Sequence, residues 1–329
     1  RGPFRLCGVI GKRVSEAYPP RQTSARHSMT AVPSWLWIVF TVAASGAQTA
    51  RNAMQRDLIA TLGTAGATFV RFLFGLPFAL LFLALVSAAS GVAPPLPGAS
   101  SLLWAGFGGV SQILATGLML AAMKEKSFVV AIAYTKTEPV QVALFGLVFL
   151  GDRVTAPMAA AIAVATVGVM LMSWPKRSAE SPPMEWRSAI YGLVSAAMFA
   201  FSAIGYRAGI LALGAPNFAL GASTILALAL AIQSALIVIG LAIFDRPLLV
   251  KIFRAWRPSL LAGFMGALAS QFWFLAFAID TAARVRTLAL IEMIFAQVVT
   301  KKIFQQQTTL REIAGMAIMI AGVVILMWT

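Results

Sequence analysis

The sequence predicts an all-α polytopic membrane protein of about ten transmembrane helices, arranged as two inverted five-helix repeats. Three observations carry this. The chain is 60% hydrophobic and only 11% charged over 329 residues, with a mean hydropathy of +0.85, whereas a soluble chain carries roughly 25% charge. Its apolar residues come in runs of about 20, enough for a helix to cross a bilayer. Stretches of the first half also recur, in order, in the second. Backbone groups in lipid must be satisfied internally, so the spans are helices. The strand-length alternation of a β-barrel is absent.

Along the chain, a basic tail comes first, over 1–28. It is Arg-rich and poor in acids, and Met29 reads as the start of the fold; the rival reading is a transit-type peptide. Ten candidate spans follow, at 33–54, 66–88, 102–122, 128–150, 157–174, 189–210, 218–243, 259–279, 287–304 and 312–328. Turn-rich pieces such as "SGVAPPLPGAS" (90–100) and "GDRVTAP" (151–157) separate them. A polar linker at 175–188 divides them five and five. The domains expected are therefore a first five-helix repeat at 29–174 and a second at 189–329. Trp35, Trp37, Trp174 and Trp328 fall at span ends and read as interfacial anchors.

The internal matches keep a nearly constant separation of 154–157 residues. "AGFGGV" (105–110) recurs as "AGFMGA" (262–267), and "GVMLMSW" (168–174) as "GVVILMW" (322–328). Glu138 in the fourth span matches Glu292 in the ninth, and Arg51 matches Arg207. An odd number of spans ends on the opposite side from its start, so a tandem copy inserts upside down. Inverted repeats of this kind place a binding site near the bilayer midplane.

Composition also excludes. The net charge of +15 is scattered through short loops and the tail, which marks contact with anionic lipid, not nucleic acid. Cys7 and His27 are the only cysteine and histidine. Both lie in the tail, so no disulfide, Cys/His metal site or Cys–His nucleophile is available within one chain. No P-loop, HExxH, Ser–His pair or acidic metal cluster is present, so the chain does not read as an enzyme. It requires no cofactor, and a gradient would supply energy, with proton coupling as one option. The partners expected are a small-molecule substrate and the lipid bilayer. The sequence carries no signature of an oligomeric state.

The spans contain polar residues that cost at least about 2.5–3.5 kcal/mol each when ionised at bilayer depth. Lys136 and Glu138 are two apart, about 200° on a helix, and cannot pair with each other. Pro139 breaks the helix beside them. Two readings stand: the fourth span lines a wet substrate path, or these groups form structural ion pairs, for example Lys136 with Glu292. The candidate substrate-path residues are Glu138, Lys136, Gln112, Gln271, Glu292, Arg71, Tyr134 and Trp273. Glu138 and Glu292 are the acids available to a coupled proton, with Glu138 the deeper. Gln112 and Gln271 could bond a substrate or hold helices together. Gln48 and Asn52 share one face of the first span, with Arg51 beside them. Arg51 and Arg207 lie near span ends, where snorkelling to headgroups is the simpler reading. "GYRAG" (205–209) permits close helix approach.

The "TEPV" element (137–140), the "GDRV" turn (151–154) and "VRF" (70–72), with ten spans in five-plus-five order, resemble the EamA-type branch of the drug/metabolite transporter superfamily, over about 30–328. The second copy departs from the pattern: "IEMIFA" (291–296) keeps the acid and loses the proline. The resemblance implies a secondary transporter, an exporter of small polar metabolites such as amino acids, multi-pass in the cytoplasmic membrane. Import or exchange of sugars, nucleosides or drug-like cations is the alternative within transport. A non-transporting scaffold is the alternative outside it. Loop charges place both termini outside, whereas the resemblance implies both inside.

Overall fold

The computed structural model describes residues 33–122, 133–173, 186–295, 297–298 and 309–329. The tail 1–28, most of the linker 175–188, the start of the fourth span and the end of the ninth lie outside the described residues, as does Trp174. Trp35–Thr329 form one compact unit. No strand occurs among the described residues.

The chain opens with α1 (Leu36–Leu73), which is broken at Gly63. That residue has φ +69° and ψ 172°, a conformation open to glycine and costly for any side chain. The break turns the first span into the second. The second span continues through α2 (Leu76–Ser90), whose first turn holds Pro77, where a missing N–H costs nothing. The following helices are α3 (Ala99–Ala122), α4 (Glu138–Phe145) and α5 (Ala156–Ser173). A π-turn at Gly146–Leu150 closes α4.

The second half runs through α6 (Trp186–Leu213), α7 (Phe218–Phe244), α8 (Arg246–Arg254), α9 (Trp256–Ile279), α10 (Ala282–Leu288) and α11 (Leu310–Met327). The short helix α8 was not expected from the apolar runs. Its N-cap Asp245 accepts from the Leu248 N–H. It packs on α1 by Ile252, in a small cluster with Leu58 and Leu62.

Seven stretches among the described residues are long and apolar enough to cross a membrane. Ten spans were expected. The first, fourth and ninth expected spans fall outside those seven stretches, and these three carry Arg51, Lys136, Glu138 and Glu292. The fourth and ninth are also cut into short pieces: Lys136 and Thr137 form a turn before α4, and the ninth passes from α10 into a 3-10 turn at Ala289–Ile291.

The tightest packing is between helices of different halves: α3 on α6, α1 on α9 and α5 on α11. Glycine permits it. A Cβ on Gly205 would fall 2.8 Å from the Gly108 Cα, so the GxxxG spacing of "GYRAG" is used for close approach. On α5 and α11 the contacts are reciprocal. A Cβ on Gly168 would lie 2.4 Å from the Met319 N, and one on Gly322 would lie 2.4 Å from the Ala165 N. Gly168 and Gly322 are counterparts in the recurring stretches, and Ala165 and Met319, just before them, keep the same separation.

Candidate functional site

Between the halves lies a cavity of about 280 Å³. Six of the eight candidate residues line it: Glu138, Lys136, Gln112, Glu292, Arg71 and Trp273, and Pro139 lines it too. Tyr134 and Gln271 do not. Gln271 sits two residues before Trp273 on α9, so it faces about 200° away. There it is buried, and its Nε2 donates to Ser223 Oγ of α7 at 2.8 Å. It joins two helices instead of facing the cavity. Tyr134 lies on the short helical piece before the break, whereas Thr135 and Lys136 reach the cavity.

The fourth span differs from a kinked continuous helix. The chain stops being helical at Lys136 and Thr137, then restarts at Glu138 with Pro139 in the first turn. Glu138 therefore stands at a helix N-terminus, where the backbone dipole favours a carboxylate. Its two oxygens accept from Arg286 of α10: Nε to Oε1 at 2.6 Å and Nη2 to Oε2 at 2.8 Å. This is a bidentate fork, the strong geometry for an ion pair away from water. The Arg286 guanidinium also stacks 5.1 Å from the Trp273 ring.

Lys136 pairs with Glu292, Nζ to Oε1 at 3.0 Å. The other Glu292 oxygen accepts from Gln48 Nε2 at 2.5 Å. Gln48 in turn accepts from Trp273 Nε1 at 3.2 Å. To these two pairs each half supplies one acid and one base, and each acid is neutralised by the base of the other half.

A second wall is neutral. Gln112 Oε1 accepts from Tyr206 Oη at 3.1 Å and from Gln233 Nε2 at 2.8 Å. Gln233 Nε2 also donates to the Gly109 carbonyl at 3.2 Å. This wall joins α3, α6 and α7.

Arg51 does not snorkel. The first span runs on past residue 54, so Arg51 falls in the helix interior, 7% exposed, and lines the cavity with Gln48 and Asn52. Its Nε and Nη2 donate to Asn52 Oδ1 at 3.3 and 2.7 Å. Arg71 donates from Nη2 to Thr116 Oγ1 at 3.1 Å. Its guanidinium lies 4.4 Å from the Phe72 ring centroid.

Arg207 does not snorkel either. It pairs with Asp152 of the "GDRV" turn at 3.6 Å and donates to the carbonyls of Phe277 and Asp280. Asp280 holds Arg284 at 2.9 Å, and Arg284 stacks 4.9 Å from the Trp37 ring. Trp37 is 2% exposed, so it is an interior residue and not the interfacial anchor that its place at a span end suggests. These groups tie the ends of the fourth, sixth and eighth spans to the start of the first. Burial pushes the Asp152 carboxyl above its ordinary value, with Arg207 opposing.

Arg286, Tyr206 and Gln233 were missed as site residues. Arg286 reads as a loop base from sequence, two residues from Arg284. The available signal was its place one residue before an apolar run that carries Glu292. Among the described residues, no cluster of His, Cys, Asp or Glu could hold a metal ion.

The description "EamA-like transporter family" matches residues 33–174. No curated protein matches the chain by sequence. A solved structure described as "Crystal structure of protein" is similar in fold, with a TM-score of 0.65 at 12% identity, covering 89% of this chain and 97% of its own. That likeness in fold takes in both halves of the chain. Residues 33–174 thus form an EamA-like transporter family domain, consistent with the drug/metabolite transporter superfamily.

Proposed function

We propose that the chain is a secondary active transporter that exports small polar metabolites, amino acids among them, across the cytoplasmic membrane. It works by alternating access between inverted repeats at 29–174 and 189–329, rocking about the cavity between them. One observation carries this reading: the cavity is held by two ion pairs, Glu138–Arg286 and Lys136–Glu292, that both cross from one half to the other. A movement of one half against the other must break or exchange these pairs. A purely structural pair would do as well inside one half. The reciprocal glycine contacts of α5 and α11 support the repeat. Glu138 and Glu292 are the carboxylates on which a coupling proton would ride.

Metabolite profiling of the medium tests this. Cells expressing the intact chain, its Glu138→Gln variant at equal membrane abundance, or neither would be compared. The expected result is one metabolite class that accumulates outside only with the intact chain. Equal export by the variant would make Glu138 structural. Depletion of a metabolite from the medium would indicate import instead.

A further inference from the structure

The cavity holds more positive charge than its own acids neutralise. Four cations line it: Arg51, Arg71, Lys136 and Arg286. Two carboxylates line it, and both are engaged, Glu138 by Arg286 and Glu292 by Lys136. Arg51 and Arg71 have no carboxylate within 4.0 Å among the described residues. A guanidinium carries five N–H donors. Arg51 spends two of its nitrogens on the neutral amide of its neighbour Asn52. Arg71 gives Nη2 to a hydroxyl and keeps a buried Nε with no partner. A buried cation left in this state is costly unless something pairs with it.

The two side chains also converge. A Cβ built on Gly266 of α9 would lie 3.2 Å from the Arg71 Cβ and 3.4 Å from the Arg51 Cδ. Both stems pass the same glycine, one from each of the first two spans. Gly266 itself lines the cavity.

We propose that Arg51 and Arg71 form a receptor for the oxyanion of a small organic anion, so that the cavity selects substrates of net negative charge. An anion can enter without disturbing either cross-half pair. A substrate ammonium has to displace a base, because both carboxylates that would receive it already hold one. The planar fork of each guanidinium fits a carboxylate or a phosphate ester. The neutral wall of Gln112, Tyr206 and Gln233 would then orient the uncharged part. A cavity of about 280 Å³ is at the small end of ligand sites. This inference rests on the transporter reading for what the binding serves, but binding is measurable alone.

The test uses the purified full chain. Dissociation constants are measured for succinate, glycerol 3-phosphate, alanine and choline, and melting without ligand reports folding. The expected result is that one of the two dianions binds at least tenfold tighter than alanine and choline. The tighter of the two tells a carboxylate receptor from a phosphate one. Arg51→Gln and Arg71→Gln should each weaken that binding by about tenfold. If those variants do not fold, Arg71→Lys and Gly266→Leu serve, and each should weaken the anion several-fold. Tighter binding of alanine or choline, no binding of either dianion, or unchanged binding in the arginine and glycine variants would overturn the proposal. Flux through proteoliposomes separates the two readings. Anion binding without flux removes the transporter and keeps the receptor. Alanine flux without anion binding does the reverse.

Discussion

The two halves meet on matched glycines but differ in charge pattern. On α5 and α11 a Cβ placed on either matched glycine would lie the same 2.4 Å from a backbone N of the opposite helix. At the matched acids the halves differ. Glu138 is gripped by both arms of a guanidinium at 2.6 and 2.8 Å. Glu292 is held by one ammonium at 3.0 Å and one amide. A rigid fork loses little freedom on pairing, whereas a lysine is a mobile point charge. The first acid is therefore held the more rigidly, as a lock between halves would be, and the second pair is the more easily exchanged. The recurring stretches put an acid at the matching place in each half, and the bases that face the two acids differ.

The largest effect should follow from breaking the fork. Arg286→Gln leaves Glu138 buried without its partner and should cost about 3–5 kcal/mol. Glu138→Gln, which strands the arginine, should cost a similar amount. The double variant should recover much of the loss, because no uncompensated charge remains. Chemical denaturation of the three variants measures this. A single variant that melts like the parent would show that the fork is no lock.

The scaffold comparison comes next. Gly168→Ala and Gly322→Ala each push a methyl into the backbone of the facing helix. Each should cost about 1–3 kcal/mol, as overpacking does. The two should also agree closely, since their contacts are reciprocal. Very different losses would argue against a matched α5–α11 interface. Lys136→Gln should be milder than Arg286→Gln, at about 1–2 kcal/mol, because Gln48 still satisfies one Glu292 oxygen. A loss equal to that of Arg286→Gln would erase the distinction between the two acids.

The same contrast explains what the sequence could tell. Apolar runs announce packing, so the third, fifth, sixth, seventh, eighth and tenth spans were legible to within a few residues. The pair of Lys136 with Glu292 was legible too, because a lysine and a glutamate at depth each need a partner. The apolar pattern ends the first span too early, at residue 54. "GAQTARNAMQRD" lowers hydropathy, yet the helix continues through it with Gln48, Arg51 and Asn52 facing the cavity. Arg286 was lost for the same reason. The polar residues that line the cavity are those that make a helix look finished. Gln271 erred the other way: a mid-span amide signals burial, and its direction depends on which neighbour is nearest.

The smallest effect is expected at Asp152, the acid of the "GDRV" turn. It too faces an arginine, but at 3.6 Å and without a fork. Burial raises its pKa, and Arg207 only partly opposes this. The folded chain therefore holds this proton more tightly than the unfolded chain. Its contribution to stability is present below the unfolded carboxylate value and is lost as pH rises through the folded one. Once ionised, the carboxylate is a net burden. Asp152→Asn should then leave stability unchanged or slightly raised at pH 7, within about 0.5 kcal/mol. Arg207 keeps its bonds to the Phe277 and Asp280 carbonyls. The variant should also lack part of the fall in stability that the parent shows as pH rises from about 4, the unperturbed carboxylate range. Melting curves across pH for both proteins check this. A drop of several degrees at pH 7 would place Asp152 with Glu138, as a second lock, and the two ends of the fourth span would then be held alike.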